Sequence, residues 1–362
     1  MKKLFPVLTM AIFTLIISSN ADGQGCVAIR STGGLCTMDH HNESMDTTSK
    51  WEFNLNNRYF KSFRHFVGTK EQKQRVANGS EVINHSYTMD LTLTRHLNKW
   101  WSLSADLPIL SNSRSSLYEH DGKNRFLTHS FGLGDIRLTA YRWIFDPEKS
   151  KGNIQVGLGL KLATGDYKYQ DYFHKNDSTL VLGPVDQSIQ LGDGGTGIAT
   201  EVNAFYNLSS KVSVYGNFYY LLNPREQNGT STARGGTPSA MSIKNGSSVM
   251  SVPDQYMIRA GLNYAARNLT LSLGFRDECL PVHDLIGGSK GFRRPGYILS
   301  AEPGITYNFK KISVYAYVPV AFERDRTQSV ADKITTKLTG VYTQGDAAFA
   351  DYTVNVGFTT RF

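Results

Sequence analysis

Apolar residues fall on every second position through most of this chain. "SYTMDLTLTRH" sets Tyr87, Met89, Leu91 and Leu93 against Thr88, Asp90, Thr92 and Thr94. "WSLSADLPIL" sets Trp101, Leu103, Ala105, Leu107 and Ile109 against Ser102, Ser104 and Asp106. "NIQVGLGLKL" sets Ile154, Val156, Leu158, Leu160 and Leu162 against Gln155, Gly157, Gly159 and Lys161. Side chains alternate across a strand, so each segment reads as a strand with one apolar and one polar face. The pattern returns in "WEFNLNNRY", "IRLTAYRW", "GIATEVNAFY", "VSVYGNFYYL", "YMIRAGLNYA", "LTLSLGFRDE", "YILSAEPGITYNF", "ISVYAYVPVAF" and "YTVNVGFTTRF". That makes about twelve strands of roughly ten residues, the length a tilted strand needs to cross a bilayer.

The connections fall into two length classes. "LNK", "DPEKSKG", "NLSSK", "AARN" and "KK" are short, while 62–84, 111–132, 164–194, 223–254, 279–296 and 324–349 are long and polar. A soluble sandwich has shorter strands and no such division. Aromatics gather at segment ends (Trp100, Trp101, Trp143, Phe145, Tyr206, Tyr219, Tyr220, Tyr307 and Phe309), as interfacial girdles do. A spanning sheet must also have every strand paired, which only closure achieves. The expected fold is therefore all-β: a transmembrane antiparallel up-and-down barrel with short periplasmic turns and long extracellular loops.

The final segment alternates to its last residue, Phe362, and reads as the closing strand, paired with the first near Trp51. A terminal Phe also resembles the sorting signal read by the barrel-assembly machinery of the outer membrane. Pro303 and Pro319 lie inside strand patterns and cannot donate to a ladder, so bulges or bends are expected there.

The amino end is built differently. Lys2 and Lys3 precede an apolar run from Leu8 to Ile17, and Ala21-Asp22-Gly23 is a small-x-small cleavage site. This is the form of a secretory signal over 1–23, too short to span a membrane. Residues 24–50 follow as a polar periplasmic segment or small plug, and 51–362 as the barrel. Cys26 and Cys36 bracket a short Gly-containing loop, which in an exported chain reads as a disulfide, with Cys279 outside any disulfide.

The chain has 39 Lys+Arg against 31 Asp+Glu, a formal net charge of +8. An exported chain meets little nucleic acid. The excess suits anionic lipid head groups, a bias toward anions in a passage, or an ordinary solubilising surface.

"FGLGDIRLTAYRWIF", "GLGLKLATGDY", "QLGDGGTGIATEVNAFYNL" and "ILSAEPGITYNFKKISVYAYVPVAF" resemble a bacterial outer-membrane family named after the meta-pathway of phenol degradation. Its members are described as transporters related to the fatty-acid and aromatic-hydrocarbon channel barrels. The resemblance covers most of 100–325 and the terminal strand, and it implies a barrel of this kind without assigning site residues.

Apolar positions face lipid, so their alternates face the lumen. That rule selects Arg58, Asp90, Asp106 and Lys161 as lining a substrate pathway, together with Glu201, Arg259, Arg276 and Glu302. Glu52, Glu278 and Arg361 join them, and Tyr215, Asn217, Tyr219, Tyr315 and Tyr317 add aromatic and amide surface. Charges inside a narrow barrel are costly unless they pair or meet water, so a structural ladder is the competing reading.

Signals for chemistry are weak. "LGDGGTG" leads into a strand, unlike a phosphate loop. Asp277, Glu278, His283 and Asp284 match no metal-ligand spacing. His129-Ser130 and His85-Ser86 are mere neighbours, and no nucleophile elbow appears. The sequence thus points to a channel for small hydrophobic or aromatic compounds in outer-membrane lipid, with no enzyme activity and no cofactor. The alternative is a structural or surface-binding barrel with a closed lumen.

Overall fold

A computed structural model describes residues 50–147 and 149–362. The expected signal, the Cys26–Cys36 pair and all but the last residue of the 24–50 segment lie outside the described residues.

Twelve strands span the barrel: β1 (Trp51–Val67), β2 (Ile83–His96), β3 (Trp101–Ser116), β4 (Phe126–Leu133 and Arg137–Trp143), β5 (Gly152–Lys161) and β6 (Gly197–Asn207), then β7 (Val212–Leu222), β8 (Gln255–Ala266), β9 (Leu269–Leu280), β10 (Gly296–Asn308), β11 (Ile312–Tyr317 and Val320–Asp325) and β12 (Ala347–Arg361). Each pairs antiparallel with its sequence neighbour, and β12 pairs with β1 to close the ring. At that seam Trp51 and Phe362 exchange both backbone hydrogen bonds at 3.0 Å.

The faces are inverted relative to a water-soluble sheet. Outward Leu158 and Leu273 are 61% and 63% exposed, whereas inward Arg259 and Glu302 are 1% and 0%. A lipid solvent explains that inversion, since apolar side chains meet acyl chains while polar ones must find partners inside. Trp101, Phe145, Tyr206, Tyr307 and Phe309 stand exposed at the short-turn end. Tyr219, read in sequence also as a girdle residue, is instead buried in the lumen.

Inward glycines make room for inward tyrosines. A Cβ on Gly274 would lie 2.2 Å from the Tyr215 hydroxyl, one on Gly157 2.5 Å from the Tyr141 ring, and one on Gly357 2.5 Å from the Tyr315 hydroxyl. The glycines recurring in these strands thus let rings lie across the neighbouring strand.

At the prolines the ladder is interrupted without slipping. Gly304 pairs with Tyr317 and Ala301 with Val320, in one continuous register. The Pro303 carbonyl accepts the Val318 N–H at 3.0 Å, and the Pro319 carbonyl accepts that of Thr353 at 3.1 Å. The slips lie elsewhere: at Leu299/Ser300, within β4, and on the β1–β12 seam at Phe60/Ser62 and Ser62/Arg64. Ile109 pairs with Leu133 but Asp106 with Arg137, so β4 carries one extra residue there. Pro108, which has no N–H to give, sits opposite this bulge, and its carbonyl accepts the Gly134 N–H at 2.8 Å.

The second long loop is shorter than the sequence suggested. β3 and β4 stay paired out to Ser116 and Phe126, leaving 117–125 in place of 111–132. "SNSRSS" in β3 is polar on both faces because it stands above the bilayer, so its strand state leaves no alternation to read. Two of the other long loops hold small hairpins, Gln170–His174 with Leu180–Pro184 and Gln227–Ser231 with Val249–Ser251. The last long loop carries the helix α1 (Val330–Thr339), opened by a Ser329/Asp332 capping box and ended by Gly340 at φ 71°.

Candidate functional site

Inward side chains at mid-height form a charged belt. Arg259 on β8 and Arg276 on β9 are direct cross-strand partners. Like charges in that position repel. Glu302 from β10 resolves the conflict, reaching Arg259 at 2.5 Å and Arg276 at 3.2 Å, while Glu278 meets Arg276 at 2.8 Å. Across the lumen, Asp106 pairs with Arg137 at 2.7 Å and accepts the Thr92 hydroxyl at 2.8 Å. Glu201 accepts the Tyr141 hydroxyl at 2.8 Å and the Asn217 amide at 3.2 Å. Arg58 and Asp90 are buried in the same zone, Arg58 donating to Thr88 at 3.5 Å. The Arg259 guanidinium lies 5.2 Å from the ring centre of Tyr317, which packs with Tyr215 and Tyr315. Lys161, nearer the long-loop end, is bound to Asp193 and lies 3.8 Å from Asp135.

The residues chosen by alternation therefore all lie on the inner face, and most are tied into pairs. Arg137, their most direct addition, was open to the same rule, since "IRLTAYRW" places Arg137, Thr139 and Tyr141 on one side. The apolar Ile136 beside it and Arg142 on the opposite parity blurred the pattern. Asp135 was out of reach because the β4 bulge turns it inward. The four residues of "DECLPVHD" do not come together. Glu278 pairs with Arg276 and Asp284 with Arg293. Among the described residues no three His, Cys, Asp or Glu side chains converge on a metal position.

A second cluster closes the long-loop end. Arg114, at the top of β3, meets Glu119 at 2.9 Å and Asp186 at 3.5 Å. Arg294 reaches Asp186 at 2.7 Å, and Arg234 reaches Glu119 at 2.8 Å. Four separate loops are joined by these five side chains. Burial works against the charge on Asp186, yet Arg114 and Arg294 hold it well below the usual carboxylate range. Glu119 is likewise held down, against burial, by Arg114 and Arg234. A further clasp joins two of the loops. The His174 backbone N–H donates to His120 Nδ1 at 3.1 Å, and the His120 ring packs between Phe126 and Phe173.

Between belt and lid lies a cavity of about 110 Å³. Arg137 and Tyr219 face it from the belt, Lys161, Leu221 and Leu280 from the wall, and Gln187, Ser188, Met250 and Arg294 from the loops. It brings an apolar patch and several hydrogen-bonding groups around one small volume, the general form of a small-molecule site.

No family model matches the chain, and no curated protein matches it. An outer-membrane channel from Pseudomonas putida F1, solved by crystallography, aligns with a TM-score of 0.57 and 12% identity, over 87% of this chain and 96% of that one. The chain has the fold of an outer-membrane β-barrel. The translocator domain of the autotransporter NalP from Neisseria meningitidis aligns at 0.45 with 14% identity, over 90% and 91% of the two chains. The toluene transporter TbuX of Ralstonia pickettii aligns at 0.42 with 12% identity, over 95% and 99%. These identities speak to architecture alone.

Proposed function

We propose that this barrel is a channel for a small hydrophobic or aromatic compound, and that it belongs with the phenol meta-pathway type of transporters its sequence resembles. The observation that carries this reading is the cavity under the lid, where Leu221, Met250 and Leu280 offer apolar contact beside Gln187, Ser188 and Lys161. The similar Pseudomonas putida F1 protein is itself described as a channel. In this reading solute pauses in the cavity, and the belt with Lys161 and Glu201 sets the charge selectivity of the passage below. Phe362 serves as the sorting signal for assembly, and residues 24–50 form a disulfide-closed periplasmic segment or small plug.

Influx of benzyl alcohol into vesicles of lipopolysaccharide and phospholipid tests the proposal. The full-length protein is expected to speed influx, and Met250→Trp, which fills the cavity, to cut that gain about threefold or more. A second reading has its own support: the Arg259 and Glu302 side chains are fully buried at mid-barrel. A wild-type protein with neither conductance nor accelerated influx would make this a closed structural or surface-binding barrel.

A further inference from the structure

The outer wall carries a feature that transport does not use. Along β2 to β5, with Trp51 of β1 and Ile198 of β6 at its edges, runs an open apolar groove of about 1040 Å³ on the lipid side. Leu93, Leu103, Leu138, Leu158 and Leu160 rise around the smaller Ala105 and Ala140. Toward the short-turn end this groove meets two outward guanidiniums. Arg95 stands opposite Trp51 across β1 and β2, its guanidinium 4.7 Å from the indole centre. Arg142 stands opposite Trp101 across β3 and β4, at 5.4 Å. Two aromatic platforms thus hold two cations at the level where head groups begin.

These arginines differ from those of the interior. Arg114, Arg137, Arg259, Arg276, Arg293 and Arg294 each sit against a carboxylate. Among the described residues, neither Arg95 nor Arg142 forms an ion pair. A guanidinium at the edge of a hydrocarbon phase needs a counter-charge, and its planar fork fits the two oxygens of a phosphate. The two guanidiniums lie over Trp51 on β1 and Trp101 on β3, with β2 between those strands, so they line the same edge of the groove at two points.

We propose that this sector is a binding site for an anionic glycerophospholipid of the periplasmic leaflet. Arg95 and Arg142 each offer a phosphate contact at the edge of the groove, and one acyl chain fills it. The leaflet follows from the topology, because the cationic end is the end with short turns. That excludes lipopolysaccharide, whose phosphates lie at the opposite surface.

The sequence supplies the reporter. All four tryptophans, Trp51, Trp100, Trp101 and Trp143, belong to the short-turn ends of β1, β3 and β4. The full-length protein is placed in phosphatidylcholine bilayers containing equal fractions of chain-brominated phosphatidylglycerol or chain-brominated phosphatidylcholine. Brominated phosphatidylglycerol is expected to quench more, with a local enrichment of roughly fivefold per guanidinium. Arg95→Gln with Arg142→Gln brings the two lipids to equal quenching, and Arg→Lys at both sites restores part of the difference. Lys310→Gln with Lys311→Gln removes the same charge from another turn of that rim and leaves the enrichment intact. Equal quenching by the two lipids in wild type overturns the proposal without any variant. A lysine pair as damaging as the arginine pair also overturns it, by showing a diffuse basic rim.

Discussion

The belt and the lid use one chemistry on two scaffolds. Both set buried arginines against carboxylates, with side chains nearly inaccessible in each. In the belt the partners stand on adjacent or next-adjacent strands, and the ladder fixes where each side chain can be. In the lid they come from the top of β3 and four loops, so the ion pairs themselves hold the backbone in place. The belt is a consequence of the barrel, whereas the lid fold is partly a consequence of its charges. Breaking a pair should therefore cost different things in the two places.

The largest effect is expected at Glu302. Glu302→Gln removes the carboxylate that Arg259 and Arg276 share, and removing one partner of a buried pair costs about 3–5 kcal/mol. Urea unfolding in detergent micelles should show this as a loss of global stability. Replacing Arg259 by Met together with Glu302→Leu should recover much of it. If the double variant is no better than the single one, the belt is held by more than its charges.

Asp186→Asn should act locally. It deprives Arg114 and Arg294 of a shared carboxylate and costs the lid about 1–3 kcal/mol. Amide exchange should speed up across 170–190 while the barrel strands stay protected. Global destabilisation as large as that of Glu302→Gln would erase the distinction between the two regions.

The smallest effect is set by pH. Burial pushes His120 below its ordinary value of 6.5. Its Nδ1 accepts a backbone N–H, so the folded clasp uses the neutral ring. The unfolded lid binds a proton more readily, so the contribution of His120 is present above pH 6.5 and is lost as pH falls toward the lowered folded value. Glu119 and Asp121 oppose this from its own loop, while His174 and Lys175 reinforce it from the facing hairpin. Opening of 170–184, read as exchange relative to its base-catalysed intrinsic rate, should thus rise between neutral and mildly acid pH in wild type. It should stay flat in His120→Asn, whose side-chain oxygen can accept the same N–H without titrating. A pH step that survives in His120→Asn would show that His120 is not its source.

Barrel and belt were legible for the same reason. Lipid outside and packed polar groups inside force a strict two-residue alternation, and that alternation names both the strands and the inward charges. Arg58, Asp90 and Glu302 could be assigned to the inner face from parity alone. The partners could not, because pairing depends on register across strands. Arg259 and Glu302 are 43 residues apart and belong to strands that are not adjacent. The lid was illegible for a deeper reason. Arg114 lies in a strand extension with no alternation, and Glu119, Asp186, Arg234 and Arg294 lie in loops where no period exists. The arginines of the outer groove were visible as residues, yet only the strand register sets each beside a tryptophan of the neighbouring strand.

The β1–β12 seam imposes an order in time. Eleven strand pairings join segments that are neighbours in sequence and can form as soon as both are present. The twelfth joins residues from opposite ends of the barrel sequence, from Phe66 with Ala347 to Glu52 with Arg361, the last in a 2.6 Å contact. Such a long-range contact gains nothing until the loop between is organised, so its closure entropy weighs on the rate. Until then β1 and β12 are two open edges in a membrane that cannot hydrogen-bond them. Closure is the step at which assembly of this chain should stall, and a slow phase that depends on the β12 side chains facing β1 would be its kinetic signature.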